Sequence, residues 1–161
     1  MIRRRTTPRF EDVPIGFEPP RLLKGPLTAV HLMRWSAAME NWHRIHYDHR
    51  FATEHDRLPD LLINGSFKQQ FVMQLLKDWA GPEGWVWKVQ FQFRAMNRVD
   101  EALKIWGRVT GKREVPGFGL VELDIGVLNG QGLESTPGRA TVALPLRAGP
   151  ALPYPFVPPS A

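Results

Sequence analysis

Residues 64–80, which read NGSFKQQFVMQLLKDWA, decide the fold of this chain. From Ser66 onward apolar side chains fall at i, i+4, i+5, i+8, i+9 and i+12, which indicates one continuous helical face. Lys68, Gln69 and Lys77 are expected to lie off that face. Gly81-Pro82 should end the helix. The apolar face consists of Phe67, Phe71, Val72, Leu75, Leu76 and Trp79.

The sequence period changes from 3.6 to 2 directly after this helix. Alternation across residues 85–94 predicts a strand whose aromatic side chains, Trp85, Trp87, Phe91 and Phe93, form core facing the helix. Three further alternating segments, at residues 103–110, 121–127 and 139–146, predict the rest of an antiparallel sheet. Residues 149–161 form a proline-rich tail that cannot pair as a central strand. We expect a surface arm or a disordered segment there.

The part of the chain before the long helix predicts smaller elements. Residues 1–20 are expected to be extended, and residues 21–24 form a short strand that ends at Gly25-Pro26. Thr28 is a suitable N-cap for a helix running to about residue 40. A second short helical piece is expected around residues 51–55. Because a helix this hydrophobic must be covered by the sheet, the sequence predicts a single α+β domain over residues 1–161.

Composition narrows the function classes. The 161 residues carry a net charge of +5, with a sequence pI near 10.0, and include no cysteine. Disulfides, thiolate catalysis and cysteine-based zinc sites are therefore excluded. The basic excess suits a phosphorylated ligand or an acidic carrier protein, or serves solubility alone, and no nucleic-acid-binding motif is present. Arg3-Arg4-Arg5 is expected to be a basic tail, since no apolar segment follows it.

The second informative stretch is Asn41-Trp42-His43-Arg44-Ile45-His46-Tyr47-Asp48. A cluster of titratable side chains facing the start of a helix is one workable layout for proton transfer beside an oxyanion site. His46 suits proton transfer because the pKa of an imidazole lies near neutrality. Gly65 offers an unhindered backbone N–H at a helix start. The histidine spacing at 43, 46 and 49 does not place three imidazoles on one helical face, so no metal site is predicted.

These two stretches together resemble the MaoC-like hydratase/dehydratase family, which has the hotdog fold. The family turn D-x-N-P-x-H-x-D corresponds to residues 41–48 here, and its H-G step corresponds to Asn64-Gly65. Phe93-Arg94 and residues 138–145 also look like the family. The sequence of the turn is similar to that of mesaconyl-CoA hydratases and 3-hydroxyacyl-thioester dehydratases. The resemblance implies a curved antiparallel sheet wrapped around a central helix.

The resemblance also implies site residues. His46 and Gly65 match the family's catalytic His and its oxyanion glycine, whereas Asn41 stands where the family has Asp. Asn exchanges no proton near neutral pH, so Asn41 is expected to orient water or to cap a turn. Asn64 either binds substrate or caps the helix. Asp48 either orients His46 or braces the turn. Arg44 and Arg94 either meet carrier phosphates or are solvated, and Ser66 is assigned to substrate binding.

The activity implied by the resemblance is reversible hydration of a 2-enoyl thioester on CoA or acyl carrier protein. We expect a cytoplasmic homodimer without a cofactor. One alternative is a non-catalytic or partner-dependent subunit of a heteromeric acyl-CoA hydratase, which Asn41 and Asn64 favour. A second alternative is a hotdog thioesterase, which the lack of a carboxylate near the start of the long helix disfavours.

Overall fold

A computed structural model describes residues 6–159. The basic tail predicted at Arg3-Arg4-Arg5 lies outside the described residues. Five strands form one antiparallel sheet in the order β1-β3-β4-β5-β2, so β1 and β2 are its edges. Their bounds are β1 Leu22–Lys24, β2 Trp85–Phe91, β3 Leu103–Val115, β4 Phe118–Leu128 and β5 Gly138–Pro145. The predicted strands are thus all present.

Two helices precede the main strands. α1 spans Ala29–Ala38 after the N-cap Thr28, and α2 spans Gly65–Ala80. Gly81 follows α2 with a φ of 68°, a left-handed conformation that glycine adopts readily. Short helical turns lie between the two helices, at Arg44–His46 and at Phe51–His55. The order of elements predicted from the sequence is confirmed.

The core lies between α2 and the concave face of the sheet. α2 contacts β2, β3, β4 and β5, so the sheet curls around it as the hotdog resemblance implied. The alternating residues of β3 and β4 face α2, with Ile105, Leu123 and Val127 at or below 1% exposure. The buried stripe of α2 consists of Lys68, Phe71, Val72, Leu75, Leu76 and Ala80. The prediction that Lys68 lies off the apolar face is therefore wrong.

A bulge in β2 overturns part of the aromatic core prediction. The register with β5 shifts between Val86 and Lys88, which breaks the alternation at Trp87. Val86 and Val89 consequently pack toward the main core, whereas Trp87 packs on a second cluster formed by Val115, Phe118, Leu120 and Ala143. Trp85 is 41% exposed, and Phe93, beyond the end of β2, is 52% exposed. These two aromatic residues are not core.

The two terminal segments pack on different clusters, because Phe10 and Val13 belong to the main core whereas Phe156 packs on the second cluster. The N-terminal segment is interrupted by a 3-10 turn at Phe10–Asp12, and Phe10 is buried against Gly119, where any Cβ would overlap its ring. Residues 149–159 of the proline-rich tail form an arm on the sheet, where Phe156 stacks on Trp85 at 5.8 Å between ring centroids. Within residues 6–159, no helix has the length and apolar character needed to cross a membrane.

Candidate active site

The end of α1 is fastened to the start of α2 by two side-chain hydrogen bonds. Trp35 Nε1 donates to Ser66 Oγ at 2.9 Å, and Asn64 Nδ2 donates to Ser36 Oγ at 3.0 Å. Ser36 and Asn64 are both fully buried. The Asn-Gly step therefore has a fixed position relative to the last turn of α1, from which the histidine-rich turn departs.

Asn41 sits just beyond α1 in a helix-terminating turn. Glu40 has a φ of 49°, and the N–H of Asn41 donates to Ser36 O at 2.9 Å. This bond, with the one from Glu40 N to Ala37 O, forms a Schellman motif. The Asn41 side chain accepts from the N–H of His43 at 3.2 Å. Asn41 therefore has the turn-forming contacts that one of its two predicted roles requires.

His46 lies at the end of the 3-10 turn and is only 9% exposed. Its Nδ1 is 2.8 Å from Leu62 O, and because a carbonyl oxygen only accepts, Nδ1 carries the proton. Nε2 then has the free lone pair of a base. Leu62 N in turn donates to Ile45 O at 3.1 Å. These two bonds attach the histidine turn to the segment that leads into Asn64-Gly65.

The pKa of His46 is lowered from its ordinary value. Burial is the main cause because it disfavours the charged imidazolium, and the nearby ring of His43 adds to the effect. The hydrogen bond to Leu62 opposes the shift without reversing it. His46 is therefore neutral at pH 7, with a lone pair on Nε2, which is the form that a general base needs.

Asp48 and Arg44 form an ion pair within the same turn. Arg44 Nη2 donates to Asp48 Oδ2 at 2.6 Å, and the N–H of Phe51 donates to Asp48 Oδ1 at 3.0 Å. The bond from Phe51 is the main cause of a lowered pKa at Asp48, followed by the bond from Arg44. Arg44 also lies 4.4 Å from the centroid of the Phe51 ring. These contacts are those of a carboxylate that braces the turn.

Gly65 is the first residue of α2, and helix geometry gives the N–H groups of Gly65 and Ser66 no intrahelical acceptor. The Phe93 ring covers this end of the helix, since a Cβ on Gly65 would lie 3.0 Å from it. Glycine is therefore required here for a close approach between the backbone and an aromatic ring. The arrangement offers two backbone donors beside an apolar wall, at the positive end of the helix dipole.

Asn64 does not cap α2 with its side chain. Its Nδ2 bonds to Ser36, whereas its Oδ1 is buried without a hydrogen-bond partner. Asn64 thus occupies the N-cap position, as one of its two predicted roles requires, but it makes no capping bond with its side chain. The full burial of Asn64 means that a ligand reaches its Oδ1 only if neighbouring atoms move.

Arg94 is not part of this cluster. It donates to Gln92 Oε1 through Nε at 3.0 Å and Nη2 at 2.8 Å. It lines an open cavity of about 470 Å³, together with Trp106, Glu134 and Arg139. Bonds to Trp35 and Ser36 therefore join Asn41, Asn64 and Ser66 to the end of α1, and the bond from His46 to Leu62 attaches the histidine turn to the segment before Gly65. Arg94 takes part in none of these contacts.

Imidazole and carboxylate groups meet only in isolated pairs near the histidine turn. His55 Nδ1 lies 2.7 Å from Asp56 Oδ1, and His49 Nε2 lies 3.7 Å from Asp60 Oδ1. Across the described part of the chain, no group of three or more His, Asp or Glu side chains is placed to hold a metal ion.

Sequence reasoning missed two residues next to the site. Ser36 contacts both Asn41 and Asn64, but a lone serine in an amphipathic helix carries no special signal. Lys68 is 3% exposed and hydrogen-bonds to residues 95 and 97. A signal for Lys68 did exist. Positions 68, 72, 75 and 76 share the i, i+4, i+7, i+8 spacing of a buried stripe.

Comparisons with known proteins agree with this fold. The MaoC-like dehydratase from Rhodospirillum rubrum matches 86% of this chain with a TM-score of 0.72 at 18% identity, so the two chains share the hotdog fold. Residues 18–101, just over half of the chain, match the family described as hydroxyacyl-thioester dehydratase type 2. The chain belongs to that family. No curated protein sequence matches the chain.

Three solved structures illustrate the likeness. The (R)-hydratase from A. caviae involved in PHA biosynthesis has a TM-score of 0.75 at 20% identity, covering 84% of this chain and 99% of that one. R-hydratase PhaJ1 from Pseudomonas aeruginosa has a TM-score of 0.74 at 15% identity, covering 95% of both chains. The ChsH1-ChsH2 complex from Mycobacterium tuberculosis gives 0.70 at 17% identity, covering 81% of this chain and 97% of that one. At these identities the likeness establishes the fold.

Proposed function

We propose that the protein catalyses the reversible hydration of a 2-enoyl thioester carried by CoA or acyl carrier protein. The observation that carries this proposal is the buried His46, whose Nδ1–H bond to Leu62 O leaves Nε2 free as a neutral base. The bond also attaches this base to the segment leading to the Gly65 N–H. A base and an oxyanion donor joined in this way suit addition of water next to a carbonyl.

The chemistry assigns one role to each group. His46 Nε2 takes a proton from water while the water oxygen forms a bond to C3 of the enoyl chain. The electron pair of the C2–C3 double bond moves into an enolate, whose charge on the thioester oxygen is stabilised by the Gly65 N–H. The imidazolium of His46 then returns the proton to C2. One water is added in total, and dehydration is the reverse sequence.

The other predicted residues take supporting roles in this proposal. Asn41 orients the attacking water, since its amide both donates and accepts. Asn64 and Ser66 shape the start of α2 at the thioester. Arg44 and Asp48 fix the turn, and Arg44 with Arg94 meets phosphate groups of the carrier. We place a homodimer in the cytoplasm, and the reaction requires no cofactor.

A second candidate is a subunit that needs a different hotdog chain for activity. Asn41 favours it, because an amide cannot share proton transfer with His46. The solved ChsH1-ChsH2 complex is by its name an assembly of two different chains. A thioesterase is a weaker third candidate, since the first two turns of α2 carry no carboxylate.

The deciding experiment measures loss of conjugated-thioester absorbance when the purified protein is mixed with crotonyl-CoA or a longer or branched enoyl-CoA. We expect turnover that falls by at least about 10²-fold in His46→Ala. His49→Ala is the matched control, because its side chain is 66% exposed and pairs with Asp60 at 3.7 Å. A folded wild-type protein without turnover on any acyl chain would favour the partner-dependent subunit.

A further inference from the structure

Lys68 is a buried cation that the proposed reaction does not use. It lies one turn after Gly65 in α2 and is 3% exposed. Burial lowers its pKa to about 8, and only Glu101 opposes that shift. A lysine is rarely buried in this way unless its ammonium is hydrogen-bonded. The partners of the ammonium therefore indicate why the residue is there.

Within residues 6–159, the Lys68 ammonium contacts the segment that follows β2. Nζ donates to Ala95 O at 3.1 Å and to Asn97 Oδ1 at 3.0 Å. It also lies 5.4 Å from the centroid of the Phe93 ring, within the range of a cation–π interaction. Asn97 is 1% exposed, and its Nδ2 donates to Glu101 Oε2 at 3.0 Å. The Asn97 amide therefore bridges the Lys68 ammonium and the Glu101 carboxylate. Lys68 is therefore a rigid link between α2 and residues 93–97.

The same segment borders both parts of the candidate active site. The Phe93 ring stands against Gly65, and Asn97 O accepts a 2.8 Å hydrogen bond from Ile63 N. An isolated β-bridge pairs Arg98 with Leu62, the residue that holds His46. Phe93 is 52% exposed, and its ring also lies 5.3 Å from that of Phe91, while Arg94 N and Ala95 N donate to Ser135 O. The ammonium holds the ring from the side of α2, and the other contacts hold it from the sheet.

We propose that Lys68 is a positioning residue that sets the distance between Phe93 and the Gly65 N–H, and with it the width of the slot that receives the acyl thioester. This proposal rests on the proposed function. Phe93 forms the apolar wall of the slot and Gly65 its polar floor. A hydrophobic residue at position 68 would fill the same space in the core but would remove the bonds to Ala95 O and Asn97 Oδ1, which are the side-chain bonds from α2 to the 93–97 segment.

Binding of butyryl-CoA, a saturated thioester that cannot be hydrated, tests the proposal without turnover. We expect calorimetry to give an affinity at least about 10-fold weaker for Lys68→Met, because the loosened wall no longer preorganises the slot. Lys77→Met on the exposed side of the same helix is the matched control and should bind like the wild type. Equal affinities of Lys68→Met and wild type, or no binding by the wild type, would overturn the proposal.

A double-mutant cycle separates positioning from simple destabilisation. Phe93→Leu removes the wall itself, so Lys68→Met should have less than about one third of its effect on affinity in that background. A purely structural lysine would lower Tm and weaken binding by the same factor in both backgrounds, which would also overturn the proposal. If butyryl-CoA binds as expected and crotonyl-CoA is not hydrated, the proposed reaction fails and the role of Lys68 stands.

Discussion

The side-chain amide of Asn64 donates a 3.0 Å hydrogen bond to the hydroxyl of Ser36, and both residues are fully buried. The backbone of Ser36 meanwhile accepts from the N–H of Asn41. Ser36 thus holds both Asn41 and Asn64, two of the polar residues of the candidate site. This linkage has consequences for both stability and activity.

Ser36→Ala should lower the free energy of unfolding by about 1–3 kcal/mol. The buried amide of Asn64 would lose its partner, while its Oδ1 already has none. Urea unfolding monitored by tryptophan fluorescence provides the measurement. Thr110→Ala is the control, since its hydroxyl bonds to Glu122 O on an exposed surface, and it should stay within about 0.5 kcal/mol of wild type. Equal effects of the two substitutions would contradict the linkage.

The pH dependence of kcat/KM should report the lowered pKa of His46. The neutral base is the active form, so activity rises with pH through that pKa and is level at neutrality. Because burial lowers the pKa from its ordinary value of 6.5, the midpoint should lie below pH 6.5. His49→Gln should leave the midpoint unchanged. A midpoint above pH 6.5 would show that another group governs the rate.

The same pKa shift affects stability. The folded chain prefers neutral His46, so its contribution is fully present above the unfolded pKa of about 6.5 and is lost as pH falls toward the folded value. His46→Gln should therefore reduce the loss of stability on acidification.

Asn41→Asp should keep the fold and raise kcat by about 10-fold or more, because a carboxylate can share proton transfer with His46. A carboxylate oxygen can accept the same bond from His43 N that the amide accepts now, so Tm should be unchanged. The negative charge should also raise the pKa of His46 and shift the acid limb upward. An unchanged rate with a shifted limb would mean that Asn41 serves only the turn or the substrate.

The sequence predicted the fold because periodicity reports burial directly. Alternation of Val121, Leu123, Ile125 and Val127 places these four residues on one sheet face, and all four are at or below 1% exposure. The prediction from periodicity failed at β2 because a bulge changes which residues share a face. The sequence around Val86 and Lys88 contains no signal that indicates this bulge. Trp85 and Trp87 are as apolar as core residues, so composition did not reveal their outer position either.

The site was less predictable because its contacts join residues distant in sequence. His46 and Gly65 were identified through the family motif, but the bond from His46 to Leu62 depends on the path of the backbone. Asn64 was expected either to bind substrate or to cap α2, and its bond to Ser36 had no local signal. Lys68 was placed on the polar side by its charge, whereas its stripe position indicated burial.

The proline-rich arm should stabilise the outer sheet face without contributing to catalysis. Phe156 packs on Trp85, Trp87 and Phe118, on the face opposite α2. Phe156→Ala should cost about 2 kcal/mol, less than loss of a fully buried Phe because this ring keeps part of its surface exposed. The emission of the two tryptophans should shift to longer wavelength as water reaches them. Val157→Ala is the matched control in the same arm, because its side chain is 60% exposed, and it should change neither quantity. Because Phe156 packs on the sheet face opposite α2, kcat should stay at the wild-type value in both variants. A loss of turnover in fully folded Phe156→Ala would instead place the arm in the active site.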